Sequence, residues 1–225
     1  KICDTAIIRN NSFSTASAVV QPLKADDGFV LAKFGMNPEK VTSHSASDGV
    51  TYYDEGRNVK ISTDGTITYA ARSILSGIAI SEIIGYDILG NDYSFCDYVG
   101  AALALAKSLG LDAGDFDLAL TCAERNGGDT VIALSYAYKG YTVVTENEYA
   151  LRIEISGGYI TGISCNMYTA TAYDGKTSLS DGTWRIRSEI AGYDGDTPID
   201  FRYVYIIKNS RLYLSVMRYG EEGDV

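Results

Sequence analysis

Residues 94–110 read SFCDYVGAALALAKSLG, and this stretch decides the class of fold. Ser94 can accept a hydrogen bond from the free amides of a first helical turn, and Asp97, three positions on, can reach back to it, which is a capping-box pattern. From there Phe95, Val99, Ala102, Leu103, Ala106 and Leu109 recur at helical spacing, Lys107 stands near the C-terminal end, and Gly110 suits a left-handed terminating position. The spacing predicts a helix with one apolar face. Beyond Gly110 the pattern changes to that of strands and turns. Residues 116–123 and 130–138 read as strands joined by Asn126-Gly127-Gly128-Asp129, a tight-reversal sequence; Lys139-Gly140 marks a break, residues 149–155 read as the next strand, and Gly157-Gly158 turns into a strand over 159–170. In residues 149–155 Tyr149, Leu151, Ile153 and Ile155 alternate with polar or small positions, so one face packs and the other is wet. A helix leading into an antiparallel meander is an α+β unit, with the helix expected on the packed face.

Working outward toward the N-terminus, Val59-Lys60-Ile61-Ser62, a Thr63-Asp64-Gly65 turn and Thr66-Ile67-Thr68-Tyr69 echo Leu151-Arg152-Ile153-Glu154, the Gly157-Gly158 turn and Ile160-Thr161-Gly162-Ile163. Chance resemblance between two hairpins and a tandem repeat both account for this echo. Residues 28–36 and 50–72 are the expected strands of this half. Residues 73–84 form an apolar run whose periodicity does not choose between helix and strand. Toward the C-terminus a polar stretch, residues 174–182, precedes strands over 184–190, 199–207 and 211–219, the last two forming a hairpin around Asn209-Ser210. The expected division is residues 1–90, a β-rich unit, and residues 91–225, a helix plus antiparallel meander closed by the C-terminal hairpin.

Composition bounds the function. The chain has 225 residues with 29 acidic and 19 basic side chains, a formal charge of −10, which argues against binding the phosphate backbone of nucleic acids. Hydrophobic residues at 46% and only 3 prolines permit a packed interior. No apolar run approaches the roughly 20 residues needed to span a bilayer. Because the chain opens at Lys1, a preceding targeting or anchoring segment is expected to have been removed. Cys3, Cys96, Cys122 and Cys165 are too widely spaced for a zinc or redox motif, and the last three lie among apolar neighbours, where buried thiols are expected.

Chemistry is sparse. The one histidine, His44, lies in a Ser-rich polar segment of loop composition, which leaves no partner set for a nucleophilic triad. The acidic pairs Asp26-Asp27, Glu221-Glu222 and Asp194-Gly195-Asp196 read as turn and solubility features, and the last lacks a calcium-loop ligand order. The glycine pairs lack phosphate-loop and dinucleotide patterns. No catalytic residue, cofactor site or metal site is expected. Among 18 tyrosines, Tyr136, Tyr138 and Tyr141, or Tyr203, Tyr205, Tyr213 and Tyr219, could form a cross-strand aromatic binding face; sheet packing is the competing use of the same rings.

The order of elements resembles a PepSY-like unit: helix 94–109, hairpin through Asn126-Gly127, Tyr136-Ala137-Tyr138-Lys139-Gly140-Tyr141, strand 150–155, then Gly157-Gly158-Tyr159-Ile160-Thr161-Gly162-Ile163-Ser164. More narrowly it is similar to the extracytoplasmic YycH/YycI proteins, with Leu109-Gly110, Tyr138-Lys139-Gly140 and Gly158-Tyr159-Ile160-Thr161 in the matching places and residues 53–69 fitting the N-terminal part of that family. The resemblance implies antiparallel sheets each packed by a helix, with two tandem PepSY-like units as one arrangement. It also implies a non-enzymatic, cell-surface accessory protein, tethered by an N-terminal transmembrane helix and otherwise away from the membrane, that associates with a paralogous partner and modulates a sensor histidine kinase. Tyr136, Tyr138, Tyr141, Tyr203 and Tyr205 are the expected partner-binding surface. The competing expectations are a secreted or surface PepSY-like module that binds or inhibits a peptidase, and a hydrolase built on two close carboxylates with displaced pKa values.

Overall fold

The computed structural model of the chain describes residues 15–23, 25–88, 93–145, 149–177, 200–208 and 210–219. The first unit opens with α1 (Asp27–Lys33), not with the strand expected over residues 28–36. Asp26 caps it, accepting from the Phe29 amide at 3.0 Å, and Val30, Leu31 and Phe34 are buried at helical spacing. A short apolar run does not distinguish strand from helix; the cap and Gly35, at φ +71°, do, because the left-handed conformation that ends the helix is unstrained in glycine. An antiparallel meander comes next: β2 (Thr42–Ala46), β3 (Gly49–Tyr53), β4 (Arg57–Ser62) and β5 (Thr66–Ala71). His44 is thus on a strand, and it is exposed as expected of a polar segment.

The apolar run that periodicity left open is broken into three short pieces: a 3-10 turn (Ile74–Ser76), β6 (Ile78–Ala79) and α2 (Ile80–Ile84), stopped by left-handed Gly85. Then comes α3 (Phe95–Ser108), with its capping box closed: the Asp97 amide donates to Ser94 Oγ at 3.3 Å, and the Ser94 amide donates to Asp97 Oδ2 at 2.7 Å. Its buried stripe is Tyr98, Ala101, Ala102, Leu105 and Ala106, facing β8 (Asp129–Tyr138) and β10 (Leu151–Ser156). Phe95 and Leu103, expected inside, are exposed. The alanines decide this rotation, since small side chains let a helix sit close to a sheet. β7 (Asp117–Asn126), β9 (Tyr141–Val144) and β11 (Tyr159–Asn166) complete the second meander.

Leaving out β9, the two meanders have the same form, a helix and then four antiparallel strands, and they join edge to edge in the order β7-β8-β10-β11-β5-β4-β3-β2. The central pairing is β11 on β5, with Ile163 opposite Tyr69, Ser164 opposite Thr68 and Cys165 opposite Ile67. Matching Val59 to Leu151, as the first strands of the sequence echo do, makes Tyr69 equivalent to Cys165 and Ile67 to Ile163, because these are their respective neighbours on the adjoining strands; the second strands of the echo, which set Tyr69 against Ile163, are displaced by two positions from this match. The pair Tyr69–Ile163 then maps onto Cys165–Ile67. An approximate two-fold axis therefore passes through the Thr68–Ser164 pair, and the two hairpins of the echo are its two sides. Position 90 falls between α2 and α3, and the β5–β11 ladder crosses it.

A second arm is formed by β1 (Thr15–Pro22), β12 (Tyr168–Thr177), β13 (Asp200–Lys208) and β14 (Arg211–Tyr219), joined to the first through β9 on β13. The terminal hairpin β13–β14 is present as expected, whereas β1 carried no signal in the sequence. The strand expected over 159–170 breaks at Met167, where β11 turns into β12, and residues 174–177, expected to be part of a polar interruption, extend β12. The strand expected over 184–190 lies outside the described residues. At the Met167 corner backbone groups that leave the ladder find other partners. The Tyr136 hydroxyl donates to Asn166 O at 2.7 Å and accepts from the Tyr168 amide at 3.0 Å, while the Met167 amide donates to Gly65 O at 3.1 Å and the Met167 carbonyl accepts from Leu23 N at 2.8 Å. One hydrophobic core runs through all of this, including α1, both meanders, β1 and β13.

Candidate functional site

The expected aromatic face is largely interior. Tyr136, Tyr138 and Tyr205 are buried. Phe116 stacks at 4.6 Å from Tyr136, and Tyr138 and Tyr205 meet edge to face at 5.1 Å. Burial drives all three phenols above their ordinary pKa. These rings fill the space between the two arms, which is why they cannot line an open surface. Tyr141 is exposed at the edge of this cluster, 6.2 Å from the Tyr205 ring; the Tyr203 side chain lies outside the described residues. Sequence alternation places a residue on a face but does not say that a second sheet will cover it.

The accessible features lie at the two ends of the long sheet and are related by the two-fold. β2 and β7 occupy equivalent outer positions, and each pairs on one side only among the described residues. They are differently finished. β7 carries Asp117, Glu124 and Arg125 and a bulge between Leu120 and Cys122, features that discourage further pairing. β2, Thr42-Ser43-His44-Ser45-Ala46, has no formal charge, no proline and no bulge, and all five residues are exposed.

Where β2 begins, a groove of about 970 Å³ opens beside the β3–β4 turn. Its floor is organised by Arg57. The guanidinium donates from Nε to Ser76 O at 2.8 Å and from Nη1 to Gly35 O at 2.6 Å and Phe34 O at 3.3 Å, tying α1 and the 3-10 turn to β4. Gly35 and Gly56 permit the close approach: a Cβ at Gly35 would stand 2.6 Å from Arg57 Nη1, and one at Gly56 would stand 2.7 Å from Ser76 Cβ. Lys40 and Arg72 line the same groove and are exposed, as is Glu55; Asp54 accepts the Gly56 amide at 2.9 Å. Lys60–Asp48 and Arg152–Glu154 are ion pairs, and none of the three groove cations is ion-paired among the described residues.

Beyond the groove stands an apolar tip. Ile74 is 47% and Leu75 80% exposed, on a turn held by the Ser73–Ser76 hydroxyl pair at 2.8 Å and by Tyr69 Oη donating to Ser76 O at 3.3 Å. On its far side a second cleft of about 590 Å³, which shares Arg72 and Ser73 with the groove and is lined also by Glu124, Asp129 and Glu154, lies on the outer sheet face.

Catalytic groupings are not evident among these residues. Among the described residues the carboxylates with lowered pKa are Asp48, held down by its bond from Lys60, and Asp97, held down by Ser94 and Tyr86 in the helix cap; both are structural partners, Asp48 exposed and Asp97 half-buried. Of the described cysteines, Cys165 is buried with its thiol pushed up to about 12 by burial, as expected. Cys96 is exposed and Cys122 half-buried, against expectation, because the helix turns Cys96 outward and β7 is an outer strand. No grouping of three or more metal-ligating side chains occurs among the described residues, and no described helix is long and apolar enough to cross a membrane.

No protein-family profile matches this chain, and no curated protein matches it in sequence. Among solved structures it is similar to the Bacillus megaterium YpeB C-terminal domain, at 10% identity over 88% of this chain and 87% of that one, with a TM-score of 0.44.

Proposed function

We propose that this chain is a non-catalytic protein-association module that takes an extended segment of a partner as an added strand on β2. The observation that supports this is the finish of the two equivalent sheet edges: β7 is bulged and charged, whereas β2 is uncharged, unbulged and exposed along its whole length. A row of unpaired amides and carbonyls is a template for another strand, and main-chain hydrogen bonds supply the affinity in such additions. The groove and the hydrogen-bonded turn that carries Ile74 and Leu75 lie off the end of β2 and extend the surface that a partner would cover.

As to the partner, the resemblance to YycH/YycI proteins leads us to an extracytoplasmic accessory role, with a sensor histidine kinase or a paralogous accessory protein as the protein bound. The peptide- or peptidase-binding alternative uses the same edge.

The test is site-specific photocrosslinking from Ser45 in native membranes, with Ser164 at the centre of the sheet face as the comparison, read by mass spectrometry. The expected result is adducts from Ser45 to a sensor kinase or single-span paralogue and few from Ser164. Backbone amides alternate in direction along a strand, so one of the variants His44→Pro and Ser45→Pro removes an outward donor and is expected to abolish the adducts. Equal adducts from both positions, or binding untouched by both prolines, would sink the proposal. Adducts to peptidases alone would transfer the role to the alternative.

A further inference from the structure

The groove at the start of β2 has the chemistry of an anion site, and its position relative to the strand says which anion. In a chain with 29 acidic and 19 basic side chains, most cations would be expected to find a carboxylate. Lys40, Arg57 and Arg72 gather in one groove and none is ion-paired among the described residues. Arg57 is part-buried and spends donors on three carbonyl oxygens, which orient the guanidinium without neutralising it. A fixed, partly desolvated cation with two exposed cations beside it favours a carboxylate over a neutral group. The two carboxylates lining the groove do not fill this need: Asp54 is turned to the Gly56 amide, and Glu55 is exposed and makes no ion pair among the described residues.

Direction supplies the rest. The chain enters β2 at Thr42, beside the groove, and leaves at Ala46. Every neighbouring pair in this meander is antiparallel, so a strand continuing the pattern would run from the Ala46 end toward Thr42 and arrive at the groove with its C-terminal end. We propose that the groove binds the C-terminal carboxylate of a partner polypeptide whose last residues lie antiparallel along β2, with Lys40 and Arg72 contacting the carboxylate and Arg57 fixing the groove floor. This inference rests on the strand-addition reading and specifies where the added strand ends.

The probe is a combinatorial library of acetylated heptapeptides made in two forms, free carboxylate and carboxamide, selected on the whole protein and followed by amide and arginine side-chain NMR shifts with the tightest sequence. The carboxylate form is expected to bind roughly tenfold or more tighter than the amide, as loss of a charge-assisted contact implies. The preference is expected to shrink in Lys40→Gln with Arg72→Gln, and in high salt. Both side chains are exposed, so the double variant is expected to keep the wild-type spectrum elsewhere; Arg57 is left intact because its loss would also loosen α1. If both peptide forms shift the β2 amides with equal affinity, the carboxylate site is refuted and strand addition stands. If the preference persists undiminished in the double variant, the site is refuted as located. If neither form perturbs β2, both readings fall.

Discussion

Two buried tyrosines two positions apart differ in what their hydroxyls do. Tyr136 Oη joins Asn166 O and the Tyr168 amide where β11 bends into β12, whereas Tyr138 Oη is buried with no hydrogen-bond partner among the described residues. Removing the first leaves two backbone groups unmatched at a buried corner; removing the second takes away a desolvated hydroxyl that has gained nothing. Tyr136→Phe is therefore expected to destabilise by about 1–3 kcal/mol in urea unfolding, and Tyr138→Phe to be neutral or stabilising. Thiol labelling reads the packing at the same scale: Cys96 is expected to react first, Cys122 more slowly, and Cys165 only on unfolding, since burial both shields it and holds its thiol at about 12. The sequence offered tyrosines and cysteines of equal appearance. Their separation into core, corner and surface depends on which elements pack over them.

At the scale of elements, α3 was the most legible part of the chain because its signals are local. Ser94, Asp97 and Gly110 act within one turn of themselves, and Ser94→Ala is expected to cost about 1 kcal/mol. The cap also has a pH signature. Asp97 is held below its ordinary value of 3.8, first by its bond from Ser94 and then by that from Tyr86. A carboxylate whose folded pKa is depressed stabilises the fold above its unfolded value and loses that contribution as pH falls through the folded one. The gap in melting temperature between wild type and Asp97→Asn is therefore expected to be constant above about pH 5 and to close below the ordinary carboxylate value. A gap unchanged at acid pH would show that the charge is not what the cap uses. The helix face was less legible than its ends: period 3.6 marks a stripe, but the sheet selected the alanine-rich side and left Phe95 and Leu103 outside. In the same way residues 28–36 lacked the length to declare a helix, and the cap at Asp26 was the signal that would have found it.

For the whole molecule, the two units joined by the Thr68–Ser164 axis share a ladder, a core and a second arm that takes β1 from one terminus and β13 and β14 from the other. The β5–β11 ladder and the pairing of β1 with β12 and β14 both cross position 90. Calorimetry of the intact chain is expected to give one transition, and residues 1–90 and 91–225 expressed apart are expected to show no cooperative unfolding, because each would expose half of the β5–β11 pairing and a face of the common core. At the surface, Leu75→Ser is expected to change stability by less than about 0.5 kcal/mol while weakening recovery of a partner that covers the tip.

By itself the sequence determined what is encoded within a few residues: the caps and span of α3, the glycine turns, the alternation of β10, the terminal hairpin and the two hairpins of the echo, whose first strands correspond under the two-fold while their second strands are displaced by two positions. The tertiary structure alone decided that Tyr136, Tyr138 and Tyr205 are core, that β2 pairs on one side only among the described residues, and that Lys40, Arg57 and Arg72, spread over 33 positions, share a groove. The reason is range. Hydrogen-bonded turns and periodicity are properties of neighbours along the chain, while burial and charge clustering are properties of neighbours in space, set by which strand lies beside which.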